Sequence, residues 1–231
     1  MSFWQILKRD FTEPLRQDPA CNSVFEIFFC YPGVWALINY RFAHFFYERG
    51  FNLIARAISG LTRIITAVDI NPGAQIGRGV FFDHATGLVI GETAIIGDNC
   101  LIYQGVTLGG VSLEHGKRHP TLQNGVVVGA GAKVLGNITI GKNSKIGANS
   151  VVVKDVAPNC TAVGVPARIL GGCESDPLAH NKIPDISQEL IKYLIKRIEI
   201  LEDCICNGRK DISAMDEDLN KFYEEYLKSL K

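Results

Sequence analysis

An aliphatic or aromatic residue recurs at every sixth position through the middle of the chain, and this repeat constrains the fold most strongly. A small residue follows several of these positions directly, as in Ile76-Gly77 and Ile140-Gly141. A period of six fits a short strand plus a tight turn, and three such units form one triangular coil of a parallel β-helix. A β-sandwich or a set of hairpins would instead show alternating segments separated by irregular turns. The repeat positions are Ile70, Ile76, Phe82, Leu88, Ile90, Ile96, Ile102, Leu108, Val128, Val134, Ile140, Ile146 and Val152.

The repeat loses its register twice, and solenoids place loops and functional sites at such breaks. The first break lies between Leu88 and Ile90, directly after the segment Asp83-His84-Ala85-Thr86-Gly87. The second lies between Leu108 and Val128, where the chain is polar and lacks aliphatic residues at the expected spacing. We predict that residues 111–125 form a loop extruded from the stack of coils.

Glycine and phenylalanine divide the chain into three zones. Nineteen of the 23 glycines lie between Gly73 and Gly172, whereas nine of the 12 phenylalanines precede Asn52. We predict an α+β protein with an N-terminal domain of short, well-buried helices over residues 1–68 and a β-helix over residues 69–172. Residues 173–231 are predicted to form a linker and a C-terminal helical extension. Its first helix either packs on its own subunit, which is favoured because two heptads are few, or forms a free coiled coil.

The extension is predicted from two patterns near the end of the chain. Asp185 and Gln188 have the spacing of an N-cap pair. A second amphipathic segment runs from Asp216 to Leu230. Between them lies a two-heptad apolar seam, formed by Ile191, Leu194, Ile198, Leu201 and Ile205.

The charge balance excludes two broad functional classes. The chain has 231 residues with 24 Lys and Arg against 24 Asp and Glu, so its formal net charge is zero. Such a chain has no long-range field to hold nucleic acid or an anionic membrane surface. No apolar run reaches the roughly 18 residues that a membrane span needs, and the charged start MSFWQILKRD is unlike a signal peptide. We predict a cytoplasmic protein whose seven cysteines, none in a CxxC pair, are all thiols.

Two of the five histidines are candidates for chemistry. His84 lies at the first register break beside Asp83, with Asp69 fifteen residues earlier. Because three repeats make one coil, Asp69 and His84 should lie on successive coils near one edge, where a carboxylate could orient a histidine base. Turn formation alone would also explain this pair. Arg118 and His119 are either solvated loop residues or adjacent donors for a carboxylate or an oxyanion.

Four motifs occur in order along the chain, Asp83-His-Ala-Thr-Gly, Gly91-Glu-Thr, Arg118-His-Pro and Gly164-Val-Pro-Ala-Arg. Together they resemble the serine O-acetyltransferases of the hexapeptide-repeat acyltransferase superfamily. The resemblance spans roughly residues 54–172, with a weaker match at Asp18-Pro19-Ala20, and it implies a left-handed β-helix. The closing Gly164-Val-Pro-Ala-Arg is shared by the whole superfamily, whereas three other motifs are more specific to the serine enzymes. These are Asp83-His-Ala-Thr-Gly, Gly91-Glu-Thr and Arg118-His-Pro.

The resemblance implies an acetyl transfer from acetyl-CoA to the hydroxyl of L-serine, giving O-acetyl-L-serine for cysteine biosynthesis. His84 would be the general base and Asp69 the residue that orients it, with direct transfer and no acyl-enzyme. No permanently bound cofactor and no metal are expected. The implied serine-binding residues are Asp18, Asp83, Arg118 and His119, with Glu92 at the edge of the site.

In the family the sites lie between neighbouring β-helices, so a homotrimer is implied. The pantetheine arm of CoA would lie in the groove near Gly110, Ala130 and Ala148, and Lys145 would contact a CoA phosphate. Many members pair two trimers through a long N-terminal helical domain, but the segment that precedes Asp69 is short here. A dimer of trimers is therefore the less supported assembly.

The sequence departs from the family pattern in three places. Asn71 stands where the family has a histidine, and Val111-Ser112 replaces small residues beside the expected cofactor channel. The chain ends in Lys231 and lacks the terminal isoleucine through which many members bind cysteine synthase, so that complex is not predicted.

Three other functions compete with this interpretation. An acyltransferase with another small hydroxyl or amine acceptor, such as a sugar, would keep the fold and the histidine base. A zinc hydrolyase could draw on His84, His115 and His119, although their spacing is unlike that of the trimeric carbonic anhydrases. A non-catalytic scaffold would use the repeat only as a rigid spacer.

Overall fold

The structure, a computed structural model, describes residues 2–170, 193–195 and 197–198. The chain divides into two compact units, Met1–Leu178 and Ala179–Lys231. In the second unit the five described residues are helical, and the rest of the predicted C-terminal extension lies outside the described residues. The first unit begins with the helices α1 (Phe3–Thr12), α2 (Pro14–Gln17), α3 (Val24–Cys30), α4 (Pro32–Tyr47) and α5 (Asn52–Thr66).

Short strands follow the helices from residue 69 to residue 170. They are β1 (Asp69–Ile70), β2 (Gln75–Ile76), β3 (Phe81–Phe82), β4 (Val89–Ile90), β5 (Ile95–Ile96), β6 (Leu101–Ile102), β7 (Thr107–Gly109), β8 (Thr121–Leu122), β9 (Val127–Val128), β10 (Lys133–Leu135), β11 (Thr139–Ile140), β12 (Lys145–Ile146), β13 (Val151–Val152), β14 (Thr161–Gly164) and β15 (Ala167–Leu170).

The strands form three sheets, and the chain visits them in rotation. Sheet 1 has the order β1-β4-β7-β10-β13, sheet 2 the order β11-β8-β5-β2, and sheet 3 the order β15-β14-β12-β9-β6-β3. All pairings are parallel except that of β14 with β15, which is antiparallel. Three parallel sheets joined in rotation are the faces of a triangular β-helix, so the predicted fold class is confirmed.

The core of the β-helix consists of the repeat residues. All thirteen predicted repeat positions are buried, with exposed fractions of 8% or less. Each inward residue stacks on its counterpart one coil away, as Ile70 does on Ile90 and Ile90 on Leu108. The six-residue pattern therefore predicted these thirteen core residues, whereas Val80, Val106 and Leu122 are further core residues that it did not identify.

The two register breaks correspond to extra residues in individual coils. Val89 pairs with Thr107, which lies one regular coil of three repeats further along the chain. The coil from Asp69 to its partner Val89 is longer than this by two residues, and the coil from Thr107 to its partner Lys133 is longer by eight. Each insertion forms a corner outside the coil stack.

The extruded loop is shorter than predicted. Residues 111–117 are exposed, but Thr121–Leu122 returns to sheet 2, where Leu122 pairs with Ile96 and is 1% exposed. The prediction of a loop over residues 111–125 was wrong at its end, because Leu122, six residues before Val128, already belongs to the repeat.

The helices α1 and α4 attach to the corner between sheets 2 and 3. Arg41 of α4 donates hydrogen bonds to the carbonyl oxygens of Ile76 and Gly77, and its Nε lies 2.9 Å from Oδ2 of the buried Asp10 in α1. Tyr40 donates a hydrogen bond to the carbonyl oxygen of Ala74 at 2.5 Å. Backbone carbonyls of the β-helix are thus satisfied by side chains of the helical region.

The N-terminal helices are less buried than predicted. Phe25 and Phe29 of α3 are 79% and 77% exposed, and Leu53 and Ile64 of α5 are 84% and 80% exposed. The helix α3 has apolar residues around more than one face, and only Ile27 is buried among them. The helix α5 is amphipathic, and it buries Ala55, Thr62 and Thr66 while its apolar face is exposed. The prediction of well-buried helices holds for α4, where Ala36, Leu37 and Ala43 are buried, but it was wrong for α3 in a single chain.

The expectation that every cysteine is a thiol was wrong for Cys160. Cys160 is disulfide-bonded, whereas Cys21, Cys30 and Cys100 are free. Disulfide formation depends on which cysteines the fold brings within bonding distance, and spacing in the sequence does not report that distance.

Among the described residues, no helix is long and apolar enough to cross a membrane.

Candidate active site

His84 lies in a turn with an unusual backbone. The turn follows β3, and both His84 and Ala85 have positive φ angles, 56° and 60°. A non-glycine residue in this region costs about 1–2 kcal/mol, and such positions persist where the surrounding structure enforces them, often at functional sites. Two short-range hydrogen bonds enforce the turn, from the Ala85 amide to the Asp83 carbonyl and from the Thr86 amide to the His84 carbonyl. The His84 side chain is 75% exposed, so its imidazole is available to a substrate.

Two carboxylates lie on the same side of the β-helix as His84. Asp83 Oδ1 is 3.9 Å from His84 Nε2. Asp18, at the end of α2, accepts hydrogen bonds from the Tyr31 hydroxyl at 2.6 Å and from the Ala20 amide at 2.8 Å. Burial raises the pKa of Asp83, His84 lowers it, and the negative charge of Asp18 raises it further. The structure therefore brings together three of the predicted site residues, and their negative charge suits an ammonium group.

Sequence reasoning missed two tyrosines that border these carboxylates. The Tyr31 hydroxyl donates a hydrogen bond to Asp18. Burial and that hydrogen bond raise the pKa of Tyr31. Burial raises the pKa of Tyr103, as do the charges of Asp83 and Asp18. Tyr103 could have been found, because it follows Ile102, the strand partner of Phe82, just as Asp83 follows Phe82. Nothing in the sequence marks Tyr31.

Asp69 lies at the corner that the sequence predicted, but with an unexpected partner. It begins β1 and pairs with Val89, so it lies one coil away from the turn that carries His84. Its Oδ2 is 3.3 Å from Nη1 of Arg63 in α5. No hydrogen bond joins Asp69 to His84 in the part of the chain that the structure describes. A groove of about 280 Å³ opens beside Asp69, lined by Arg56, Ser59, Gly60, Arg63, Asn71, Val89, Ile90 and Gly91.

Glu92, Arg118 and His119 form a second cluster. Arg118 Nη2 donates to Glu92 Oε2, and the amides of Arg118 and His119 both donate to the hydroxyl oxygen of Thr93. His119 is 8% exposed, and burial lowers its pKa, as do the positive charges of Arg118 and Lys117, while Glu92 opposes them. The three predicted residues therefore lie together, and sequence reasoning missed Thr93 and Lys117.

The two clusters occupy different corners of the triangle. The first lies between sheets 3 and 1, in the turn that joins β3 to β4. The second lies between sheets 1 and 2, where β4 leads to β5 and where the extruded loop leads from β7 to β8. A single chain thus places the exposed His84 near the N-terminal ends of the sheet 1 strands. Arg118 and His119 lie near the C-terminal ends of these strands.

The residues predicted to bind CoA are divided in the same way. Ala130 and Ala148 stack at the corner between sheets 3 and 1, where the amide of Asn149 donates to the carbonyl of Ala130 at 2.8 Å. Lys145 begins β12 in sheet 3. Gly110 lies at the other corner, and a Cβ atom built on it would lie 3.3 Å from His119 Nε2. No group of three His, Cys, Asp or Glu side chains in the described ranges could hold a metal ion.

Comparison with known proteins identifies the family. The chain is 53% identical over 202 residues to a serine acetyltransferase of Synechococcus elongatus, an alignment that covers 87% of this chain and 83% of the relative. It is 49% identical over 198 residues to a serine acetyltransferase of Mycobacterium tuberculosis, covering 85% of this chain and 86% of the relative. The chain belongs to the serine acetyltransferase family.

Solved serine acetyltransferases share the fold. The Vibrio cholerae enzyme matches with a TM-score of 0.74 and 41% identity over 79% of this chain and 71% of its own. The Neisseria gonorrhoeae enzyme in complex with serine matches with a TM-score of 0.70 and 43% identity over 73% of this chain and 69% of its own. The family model described as bacterial transferase hexapeptide (six repeats) matches residues 119–154. The predicted family, and with it the prediction of an acyltransferase, are confirmed.

Proposed function

We propose that this serine acetyltransferase transfers the acetyl group of acetyl-CoA directly to the hydroxyl of L-serine, with His84 as general base. The observation that carries this assignment is the exposed imidazole of His84, held in a strained turn beside two carboxylates. The match to a serine-bound enzyme supports the acceptor, and the coenzyme A complex of a Brucella abortus serine acetyltransferase supports the donor. Acetyl-CoA is a co-substrate, and no permanent cofactor is required.

The chemistry needs one base and accurate positioning. The imidazole of His84 takes the proton of the serine hydroxyl while the hydroxyl oxygen attacks the thioester carbonyl carbon. The C–O bond forms, the C–S bond breaks, and the CoA sulfur leaves with the proton that the imidazole returns. A thioester is already activated, so holding the two substrates in contact supplies much of the remaining rate.

Asp69 is proposed to orient His84 and to stabilise the imidazolium. Its position one coil from His84 supports this role, whereas its ion pair with Arg63 competes with it. Asp69 orients His84 only if one of its carboxylate oxygens accepts a hydrogen bond from the imidazole when substrates bind. Either Oδ1 does so, or the side chain rotates. The proposal therefore predicts a smaller effect of Asp69 than of His84.

The acceptor serine is proposed to bind through both of its charged groups. Asp18 and Asp83 would hold the ammonium group, because two carboxylates at one corner favour a cation there. Arg118 and His119 would hold the carboxylate, since a guanidinium and an imidazole N–H are both donors to it. Glu92 would act at the edge of the site by orienting Arg118.

We further propose that the active site is completed by a second copy of the chain in a homotrimer. The two clusters lie at different corners of one β-helix, so packing three β-helices side by side would bring the first cluster of one subunit to the second cluster of the next. The exposed apolar residues of α5 provide a surface for such packing, as Leu61, Ile64 and Ile65 are 60%, 80% and 70% exposed. The pantetheine arm would lie in the same groove, near Gly110 of one subunit and Ala130, Ala148 and Lys145 of the other.

Three further statements remain proposals. O-acetylserine would serve cysteine biosynthesis, as the family name implies, and the protein would act in the cytoplasm. The domain limits at residues 68 and 172 stay predictions. A complex with cysteine synthase and a dimer of trimers are not proposed.

The test is release of free thiol from acetyl-CoA by the purified full-length chain, with and without L-serine. Serine-dependent release with stoichiometric O-acetylserine is the expected result. Release only with L-homoserine or a sugar would contradict the assignment of L-serine as the acceptor. It would still support acetyl-CoA as the acetyl donor. No release with any acceptor would contradict the proposed activity as a whole.

A further inference from the structure

Thr93 makes an unusually complete set of hydrogen bonds to the segment that carries His119. Its hydroxyl oxygen accepts from the Arg118 amide at 3.0 Å and from the His119 amide at 3.1 Å. The same oxygen lies 2.9 Å from His119 Nδ1, and the Thr93 amide donates to that nitrogen at 3.2 Å. One residue of the turn between β4 and β5 therefore contacts both the backbone and the ring of His119.

These contacts determine which ring nitrogen carries the proton. A threonine hydroxyl has two acceptor positions and one proton. The two amides use both acceptor positions, so the hydroxyl proton is directed at Nδ1, and the Thr93 N–H is directed there as well. Because both neighbours are donors, Nδ1 must accept. A neutral His119 then carries its proton on Nε2.

The same arrangement opposes a second proton on the ring. An imidazolium would place an N–H on Nδ1 against two other donors. The charged groups that face the ring are Arg118 and Lys117 on its own segment and Glu92 on the adjoining turn, and the balance of burial and charge lowers the pKa of His119. Geometry and electrostatics therefore favour the neutral ring.

Lys117 fixes the backbone on which the ring depends. Its ammonium group donates to the carbonyl oxygens of Thr93 and His119, both at 2.6 Å, and of Pro120 at 3.2 Å. Three carbonyls satisfy the three protons of the ammonium group, so Lys117 joins the extruded loop to the turn that holds Thr93. The Nε2 atom of His119, by contrast, has no hydrogen-bond partner within residues 2–170.

We propose that Thr93 is a positioning residue that holds His119 as the neutral tautomer with its proton on Nε2. In this state His119 offers the serine carboxylate a single hydrogen-bond donor and acts neither as a cation nor as a base. This inference rests on the proposed role of His119 in serine binding. In the proposed trimer, one site contains both His84 and His119. The two histidines do not compete for the substrate proton, because Nδ1 of His119 already accepts hydrogen bonds and only His84 has a free acceptor nitrogen.

The test compares Thr93→Val, which removes the hydroxyl at nearly constant volume, with Thr93→Ser, which keeps it. Ring ¹⁵N chemical shifts of histidine-labelled full-length protein, assigned with His119→Gln, report the tautomer directly. The wild type and Thr93→Ser should show the neutral Nε2–H form at the pH at which free histidine is half protonated, because the pKa of His119 is lowered. Thr93→Val should show mixed tautomers, a higher pKa of His119 and a KM for serine raised about tenfold, with kcat less affected.

Thr12→Val is the matched control. The Thr12 hydroxyl donates only to carbonyls within α1, so this substitution should leave every readout unchanged. An Nδ1–H tautomer in the wild type, or unchanged ring shifts in a folded Thr93→Val protein, would overturn the inference. A His119→Ala variant, which keeps no donor, with an unchanged KM for serine would instead contradict the role of His119 in serine binding, whatever the tautomer.

Discussion

Gly91 leaves the space that the ring of His119 occupies. A Cβ atom built on Gly91 would lie 1.9 Å from Cδ2 and 2.1 Å from Nε2 of His119, far inside van der Waals contact. Gly91 does not have a positive φ, so its backbone conformation does not require glycine. Glycine is required because the His119 ring occupies the space that a side chain would fill. At the scale of single residues, the second cluster thus depends on a position that has no functional group.

Gly91→Ala should therefore displace the His119 ring without disturbing the coil. The expected result is a KM for serine raised by about tenfold or more, the equivalent of losing one hydrogen bond to a charged group, with little change in CoA binding. Steady-state kinetics with serine and a CoA titration measure the two effects separately. Normal serine kinetics in Gly91→Ala would show that the ring has no part in binding the acceptor.

His84→Ala should lose most of the rate while the protein still binds CoA, because only the proton-transfer contribution is removed. The expected loss in kcat is on the order of 10²–10⁴-fold, and Asp69→Asn should cost less. His115→Ala is the control, since His115 is an exposed histidine of the extruded loop. A His84→Ala protein that turns over at a near-normal rate would exclude His84 as the base.

At the scale of elements, the start of α4 supports the turn that carries His84. A Cβ atom built on Gly33, the second residue of α4, would lie 2.2 Å from the carbonyl oxygen of Phe82 and 3.0 Å from Cβ of Ala85. The helix therefore contacts the backbone of β3 directly, on either side of Asp83 and His84. This contact links the helical region to the turn that carries His84.

Gly33→Ala should destabilise the protein although alanine favours helices. We expect a loss of about 1–3 kcal/mol in the free energy of unfolding, because the added methyl group meets backbone that must shift. Gly60→Ala in α5 is the matched control: a Cβ atom there meets nothing within 4 Å, and a gain of about 0.5–1 kcal/mol is expected. Urea unfolding of both variants measures the difference, and equal stabilities would mean that α4 does not press on β3.

At the scale of the whole molecule, the separation of the two clusters is the reason for proposing that the site forms between subunits. His84 and His119 lie near opposite ends of the sheet 1 strands, at two different corners of the β-helix. The proposed trimer therefore supplies each active site with residues from two subunits. Neighbouring β-helices in a ring meet through different edges, which is what a heterologous, closed interface requires.

Mixed trimers test this arrangement. Subunits that carry His84→Ala and subunits that carry His119→Ala should each have low activity alone. In trimers that contain both kinds of subunit, activity should return at about one third of the sites, because one of the three interfaces then has both native histidines. The measurement is the specific activity of doubly tagged, copurified trimers. If mixing restores nothing, each site lies within one subunit.

The sequence by itself determined the β-helix and the place of its functional corners. The inward residues repeat with a local period, so every coil could be read without knowing its neighbours, and the insertions appear as breaks in that period. The turn of His84, the Arg118–His119 pair and the fold class all followed from this pattern. These features depend on residues close together in the chain.

Only the tertiary structure decided how side chains pair. Thr93 contacts His119, and Arg41 contacts Ile76, across long stretches of chain that carry no signal of either contact. The ion pair of Asp69 with Arg63, the exposed faces of α3 and α5 and the disulfide of Cys160 were likewise unpredicted. A repeat specifies which residues point inward. The partners of outward-pointing side chains depend on the corner insertions and on the packing of helices, and neither has a period in the sequence.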